Sequence, residues 1–253
     1  MALFGLGRFG TLAAGVLKDY FDIVAYDPAP LERHASRVGV PLVSLDEAAV
    51  RPILVLAPPM SEMRSLLVSI APYVKPGTLV CDTCSVKMVP ASLMESLLPD
   101  DVQVLGTHPC FGPDSIQPGF TGNKIVLCPI RVRNLSSIVR FLEGLGLTVV
   151  VASAEEHDKL MARTQALSQF LGKAVLQMGL KQERISTTGF DQLLEILQYV
   201  RNDTDRLFHD LQTMNPYAAE MRRKLVNTLA EIDRMLDIET HGENETVASS
   251  ISR

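Results

Sequence analysis

A hydroxyl, an imidazole and an ammonium group lie close together in function-bearing order between Asp82 and Ser115. The stretch reads Asp82-Thr83-Cys84-Ser85-Val86-Lys87 and, after a helical segment, Gly106-Thr107-His108-Pro109-Cys110-Phe111-Gly112. Each polar cluster follows an apolar run, Thr78-Leu79-Val80-Cys81 in one case and Val102-Gln103-Val104-Leu105 in the other. If the two runs are neighbouring strands of one sheet, Ser85 and His108 emerge at the same edge. The carboxyl edge of an open α/β sheet is where such folds place their reacting groups. Histidine is the side chain that exchanges protons near neutral pH. A lone histidine is more often structural than catalytic; Ser85 beside it and a nucleotide site nearby reverse that weighting.

The elements that must position this pair begin at the first residue. Ala2-Leu3-Phe4 reads as a short strand, Leu12 to Leu17 as a helix, and Phe21 to Tyr26 as a second strand ending at Asp27. Between strand and helix stands Gly5-Leu6-Gly7-Arg8-Phe9-Gly10, which fits G-x-G-x-x-G. Gly5 permits the tight turn, Gly7 lets backbone approach a pyrophosphate, and Gly10 lets the helix pack against the strand. The pyrophosphate would rest on the positive end of the helix, beside Arg8 and Phe9. The Asp27 carboxylate can accept from both ribose hydroxyls and would repel a 2'-phosphate, so NAD is favoured; Arg33 and Arg37 keep NADP possible.

The alternation continues with a helix from Pro30 to Val38, a short strand Pro41-Leu42-Val43, and a helix from Ser44 to Ala49 opening at a serine cap. A buried strand, Pro52 to Leu56, ends at Ala57-Pro58-Pro59, which cannot extend a ladder. A helix from Met60 to Tyr73 follows. Beyond Ser115 come a Gly/Pro-rich loop, a strand Lys124 to Cys128, a helix Ser136 to Leu145 and a last strand Leu147 to Val151. Strands alternating with helices predict a doubly wound parallel sheet over residues 1–152. From Ser153 no strand pattern remains. Ser153-Ala154-Glu155-Glu156 reads as a capping box opening a long helix. Further helices are expected at Gly189 to Tyr199, Asp203 to Met214 and Pro216 to Leu236. Residues 153–240 thus form an all-helical domain, rich enough in apolar residues to pack against a second copy as a homodimer. The stretch 241–253 is polar and reads as a frayed tail.

Composition excludes other classes. The formal net charge is -5, unlike a nucleic-acid surface. The longest apolar run, Ile53 to Ala57, is strand-sized, so no membrane span is expected. The chain enters a strand at once and shows no signal peptide. Cys81, Cys84, Cys110 and Cys128 sit in or beside predicted strands, as in a reduced cytoplasmic protein. Cys81-Asp82-Thr83-Cys84 fits C-x-x-C but has no second pair, so no metal is expected.

Asp82-x-x-Ser85-Val86-Lys87 followed by Gly106-x-His108-Pro109-x-x-Gly112, on a Rossmann-type domain with a helical C-terminal domain, resembles the prephenate/arogenate dehydrogenases of tyrosine biosynthesis. Glu156-His157-Asp158, Gln165-Ala166-Leu167 and Gly189-Phe190-Asp191 add to the likeness. The resemblance implies an NAD(P)-dependent oxidative decarboxylation of prephenate or arogenate. Hydride passes from the carbinol carbon to the nicotinamide, and carbon dioxide leaves as the ring aromatises. His108 would take or polarise the hydroxyl proton, Ser85 would fix the hydroxyl or the imidazole, and Pro58 and Pro59 would end the strand beneath the nicotinamide. Lys87, His157, Gln165, Gln198 and Arg201 are the candidate substrate contacts. The family's arginine in the middle of the helical domain is missing from Gly189 to Leu194, which leaves Arg163, Arg222 and Arg223 as further candidates. Gln169 stands where some relatives carry a histidine. Two alternatives remain: another small-acid dehydrogenase or reductase, and a non-catalytic dinucleotide-sensing regulator.

Overall fold

The computed structural model of the chain describes residues 1–29, 32–116 and 120–251, with side chains except at 32–33, 196, 199 and 238–251. The expected helix start at Pro30 and part of the loop after Ser115 fall outside these residues. Seven strands form one sheet: β1 (Ala2–Phe4), β2 (Val24–Tyr26), β3 (Ile53–Leu56), β4 (Leu79–Asp82), β5 (Gln103–Pro109), β6 (Lys124–Arg131) and β7 (Thr148–Val151), in the order β2-β1-β3-β4-β5-β6-β7. Neighbours from β2 to β5 run parallel. The pair β5–β6 is antiparallel, with His108 opposite Val126. The expected parallel, doubly wound sheet thus holds for every other pair, and the one exception has a local reason: among the described residues no helix joins β5 to β6, and a connection without a crossover element returns the chain antiparallel. The expected strand at Pro41–Val43 reduces to one bridge, Leu42 beside Ala25.

Six helices cover this sheet: α1 (Arg8–Leu17), α2 (Glu32–Val38), α3 (Leu45–Ala49), α4 (Met63–Ile70), α5 (Met88–Leu97) and α6 (Leu135–Gly144). Ser44 and Glu47 close a capping box on α3, satisfying backbone donors that a helix start leaves unpaired. The largest core lies where α3, α4 and α5 meet the sheet, with Leu54, Leu56, Met63, Leu67, Ile70, Val80 and Met94 fully buried. Burying a leucine-sized side chain contributes about 1.5–3 kcal/mol, so this face fixes the strand ends that carry the site.

The helical half comprises α7 (Ala154–Met161), a π turn (Ala162–Ala166), α8 (Leu167–Gln177), α9 (Thr188–Asn202), α10 (Asp205–Met214) and α11 (Ala218–Ile251). Ser153 Oγ accepts the Glu156 N–H at 3.1 Å, capping α7. The continuous helix expected from Ser153 is therefore interrupted by a π turn. At α8 and α9 the backbones approach closely, since a Cβ on Gly172 would meet Val200 Cγ2 at 2.7 Å. Leu211 of α10 is buried within the main sheet core, which docks the helical half onto the first. The last helix runs on through the stretch from His241 that composition reads as a frayed tail. That stretch holds no proline, and Gly242 alone disfavours helix. Among the described residues no helix is long and apolar enough to cross a membrane.

Candidate active site

The turn from β1 into α1 is built for an anion. Gly5 has φ +100°, and a Cβ there would meet the Ala57 carbonyl oxygen at 2.6 Å. A Cβ on Gly10 would collide with the Gly5 carbonyl, whereas nothing lies within 4 Å of one on Gly7. Gly7 caps α1 without a side-chain hydrogen bond, and the first turn holds no acid. The backbone donors and positive dipole end are thus left to a ligand. Asp27 closes the arrangement: its Oδ2 accepts the Leu6 N–H at 2.7 Å and its Oδ1 the Ala29 N–H at 2.9 Å. The carboxylate is held against the glycine turn and keeps lone pairs for hydroxyl donors. The residues present therefore fit a dinucleotide. Arg37 is exposed on α2; the Arg33 side chain is outside the described set.

A cleft of about 840 Å³ opens beside this turn. Gly7, Arg8, Phe9, Gly10, Pro58 and Pro59 border it on one side, Ser85 and His108 form its floor, and Gln165, Gln169, Asp203, Arg206 and Asp210 face them from the helical half. Gly5 and Asp27 stand behind the lining. Arg8 ties the two halves, donating to Asp114 at 2.5 Å and to the Asn202 carbonyl at 2.7 Å.

His108 is 2% exposed. Its Nδ1 lies 2.8 Å from His157 Nε2, and His157 Nδ1 lies 2.8 Å from Asp158 Oδ1. The carboxylate decides the tautomers. Asp158 only accepts, so His157 Nδ1–H donates to it and leaves His157 Nε2 as an acceptor. His108 Nδ1–H then donates to His157 Nε2. The lone pair of His108 remains on Nε2, which has no hydrogen-bond partner among the described residues. Burial, the largest cause, pushes the His108 pKa well below the ordinary 6.5, and the Lys87 cation acts in the same direction. The ring is therefore neutral at physiological pH, with its basic nitrogen preset.

Two expected substrate contacts sit behind this floor. His157 is 1% exposed and orients His108. Lys87 is fully buried; its Nζ pairs with Asp82 and donates to the Thr107 carbonyl at 2.7 Å. Placing a cation at the start of α5 is unfavourable to the dipole, and Asp82 offsets that charge. Asp158 caps the same helix start, accepting the Lys87 and Met88 N–H groups at 2.7 and 2.9 Å. Gln198 and Arg201 are exposed on α9 and do not border the cleft. Leu197 and Val200 are the buried positions of that turn, and helical spacing sends 198 and 201 to solvent. Arg222 is held by the Gln212 carbonyl at 2.5 Å and its Oε1 at 2.9 Å.

Gln165 does reach the cleft, and it is unusual there. Its Oε1 and that of Gln169 are buried without a hydrogen-bond partner among the described residues. Gln169 Nε2 donates to Asp203, whose pKa burial raises above the usual carboxylate value against the pull of Gln169 and Arg8. Sequence reasoning missed Arg206, Asp203 and Asp210 as cleft residues. Arg206 donates to Ser61 at 2.5 and 2.9 Å and to Glu62 at 2.6 Å. The available signal was Thr204: as the N-cap of α10, it puts Asp203 outside the helix and Arg206 in its first turn.

Residues 14–151 match the family model described as prephenate dehydrogenase, nucleotide-binding domain. The chain belongs to the prephenate dehydrogenase family. Residues 174–248 match the TYRAAT1-like C-terminal domain. Arogenate dehydrogenase 2, chloroplastic, of Arabidopsis thaliana is 27% identical over 238 residues, covering 89% of this chain and 66% of the relative. A probable arogenate/prephenate dehydrogenase of Methanocaldococcus jannaschii is 26% identical over 204 residues, covering 76% and 45%. The chain thus spans about two thirds or less of these curated relatives. Among solved structures, prephenate dehydrogenase from A. aeolicus, in complex with hydroxyphenyl propionate and NAD+, superposes with a TM-score of 0.76 at 17% identity, covering 99% of this chain and 95% of that one. Synechocystis arogenate dehydrogenase gives 0.68 at 20% identity, covering 96% and 92%. The fold of this family member is therefore that of those dehydrogenases across both halves.

Proposed function

We propose that the chain carries out the NAD(P)-dependent oxidative decarboxylation of a cyclohexadienol acid, with arogenate favoured over prephenate and NAD over NADP. The observation that carries the reading is the Asp158–His157–His108 line, which leaves a bare imidazole nitrogen at the floor of a cleft that opens on a dinucleotide turn. A bound nicotinamide supplies the hydride acceptor. His108 Nε2 takes the proton of the carbinol hydroxyl, and Ser85 at the same floor orients that hydroxyl. As the ring carboxylate leaves as carbon dioxide, its bonding pair enters the ring, and His108 returns the proton to the phenolic oxygen. Pro58 and Pro59 close the cleft beyond the end of β3.

Side-chain choice follows from hydrogen-bond polarity. Asp203, Gln165 and Gln169 line the cleft from the helical half, a carboxylate and two side-chain amides. The ammonium of arogenate can donate to such a set; the keto group of prephenate cannot and would leave it unpaired, which is costly in a buried site. The four free thiols support a reducing, cytoplasmic setting. The exposed stripe Val226, Leu229, Ile232 and Leu236 on α11 supports a homodimer through the helical half. The deciding assay offers purified protein arogenate or prephenate with NAD or NADP and follows absorbance of the reduced cofactor. Turnover is expected to be fastest with arogenate and NAD; no turnover with any of the four pairs overturns the proposal.

A further inference from the structure

Among the described residues Lys87 is the largest charged side chain buried completely, and the reaction proposed above does not use it. Its contacts form a closed circuit. The Lys87 N–H donates to Asp158 Oδ1 at 2.7 Å. That oxygen accepts from His157 Nδ1, and His157 Nε2 accepts from His108 Nδ1, each at 2.8 Å. His108 is bonded to Thr107, whose carbonyl accepts from Lys87 Nζ at 2.7 Å. The main-chain N–H of residue 87 thus braces the ring side of His108, as any residue but proline would, and the Lys87 ammonium holds its backbone side. Asp82 reinforces the second hold, pairing with Lys87 Nζ and accepting the Thr107 N–H at 3.2 Å. We propose that Lys87 is a positioning residue for the reaction at His108, its ammonium fixing the strand backbone from which the imidazole projects. The assignment deepens the dehydrogenase reading and rests on it.

The charged and titratable groups around His108 come from every side. His157 and Asp158 face it from α7, Lys87 and Asp82 from the β4–α5 connection, and Cys110 Sγ lies 3.9 Å from Nδ1. Asp203, Arg206 and Asp210 border the same cleft on the helical side. Of the groups that shift the ring, Lys87 is the fixed cation. Removing it raises the His108 pKa, because a neighbouring positive charge opposes protonation.

The test removes the cation alone, Lys87→Met, leaving its partner Asp82 in place. Ring NMR titration of His108 is expected to move up by about one pH unit, a readout that needs no substrate and separates this assignment from the activity it rests on. The acid limb of the kcat/KM profile is expected to move with it, and kcat to fall about 10-fold, while dinucleotide affinity stays at the parent value. Lys87→Arg, which keeps the charge, is expected to retain the parent's titration and remains informative if Lys87→Met fails to fold. A titration in Lys87→Met that superimposes on the parent's, or one in Lys87→Arg that shifts upward, overturns the assignment.

Discussion

Among the described residues, the buried side-chain groups behind His108 all have hydrogen-bond partners; across the cleft, on the wall made by the π turn and α8, two amide oxygens have none. The same burial acts on both regions with opposite consequences. Asp158 takes three donors and transmits a fixed tautomer to the floor. Gln165 and Gln169 are desolvated without compensation, a cost of about 1–3 kcal/mol for each such atom. A satisfied network sets a reactive group in advance of any ligand. An unsatisfied one stores an unmet demand that the right ligand relieves. The satisfied network joins the sheet half to α7 of the helical half, and the unsatisfied pair lies further along on the π turn and α8.

The contrast can be broken at its strongest point first. His108→Asn is expected to lower kcat by about 10³-fold with dinucleotide affinity unchanged, as measured by single-turnover kinetics and calorimetric titration. Parent-like turnover would remove His108 from the floor's chemistry. Asp203→Asn strikes the opposite wall. It should lower the ratio of kcat/KM for arogenate over prephenate by about 10-fold without touching the pH profile, and an unchanged ratio would mean that Asp203 does not meet the substrate's amine. The pH profile itself sharpens the comparison most gently. The active His108 is neutral and its pKa is lowered, so kcat/KM should stay level as pH falls through 6.5 and decline only at lower values. A limb centred at or above 6.5 would contradict the buried relay.

What the sequence makes legible is what depends on near neighbours. The glycine turn, the strands on either side of it, the acid ending β2 and the emergence of Ser85 and His108 at one sheet edge all follow from spacing and periodicity. What it hides depends on contacts across the chain. Lys87 reads as a free cation at a helix start, because the Thr107 carbonyl that its ammonium reaches lies 20 residues away on β5. His157 next to acids reads as a pairing residue or a ligand group with equal ease, and only its 2.8 Å approach to His108 decides. The direction of β6 could not be taken from its apolar run, since a parallel and an antiparallel buried strand look alike in sequence. On α9 the phase alone separates the buried Leu197 and Val200 from the exposed Gln198 and Arg201, and an error of one residue in a helix is enough to turn a contact into a solvated side chain.

The π turn at Ala162–Ala166 has a consequence for heredity. Such a turn is an α-helix carrying one surplus residue, and one residue corresponds to a rotation of about 100°. Loss of a single codon within it would therefore be taken up by closing the π turn to an α turn, so that Gln169 on α8 keeps its bearing relative to His157 and Asp158 on α7.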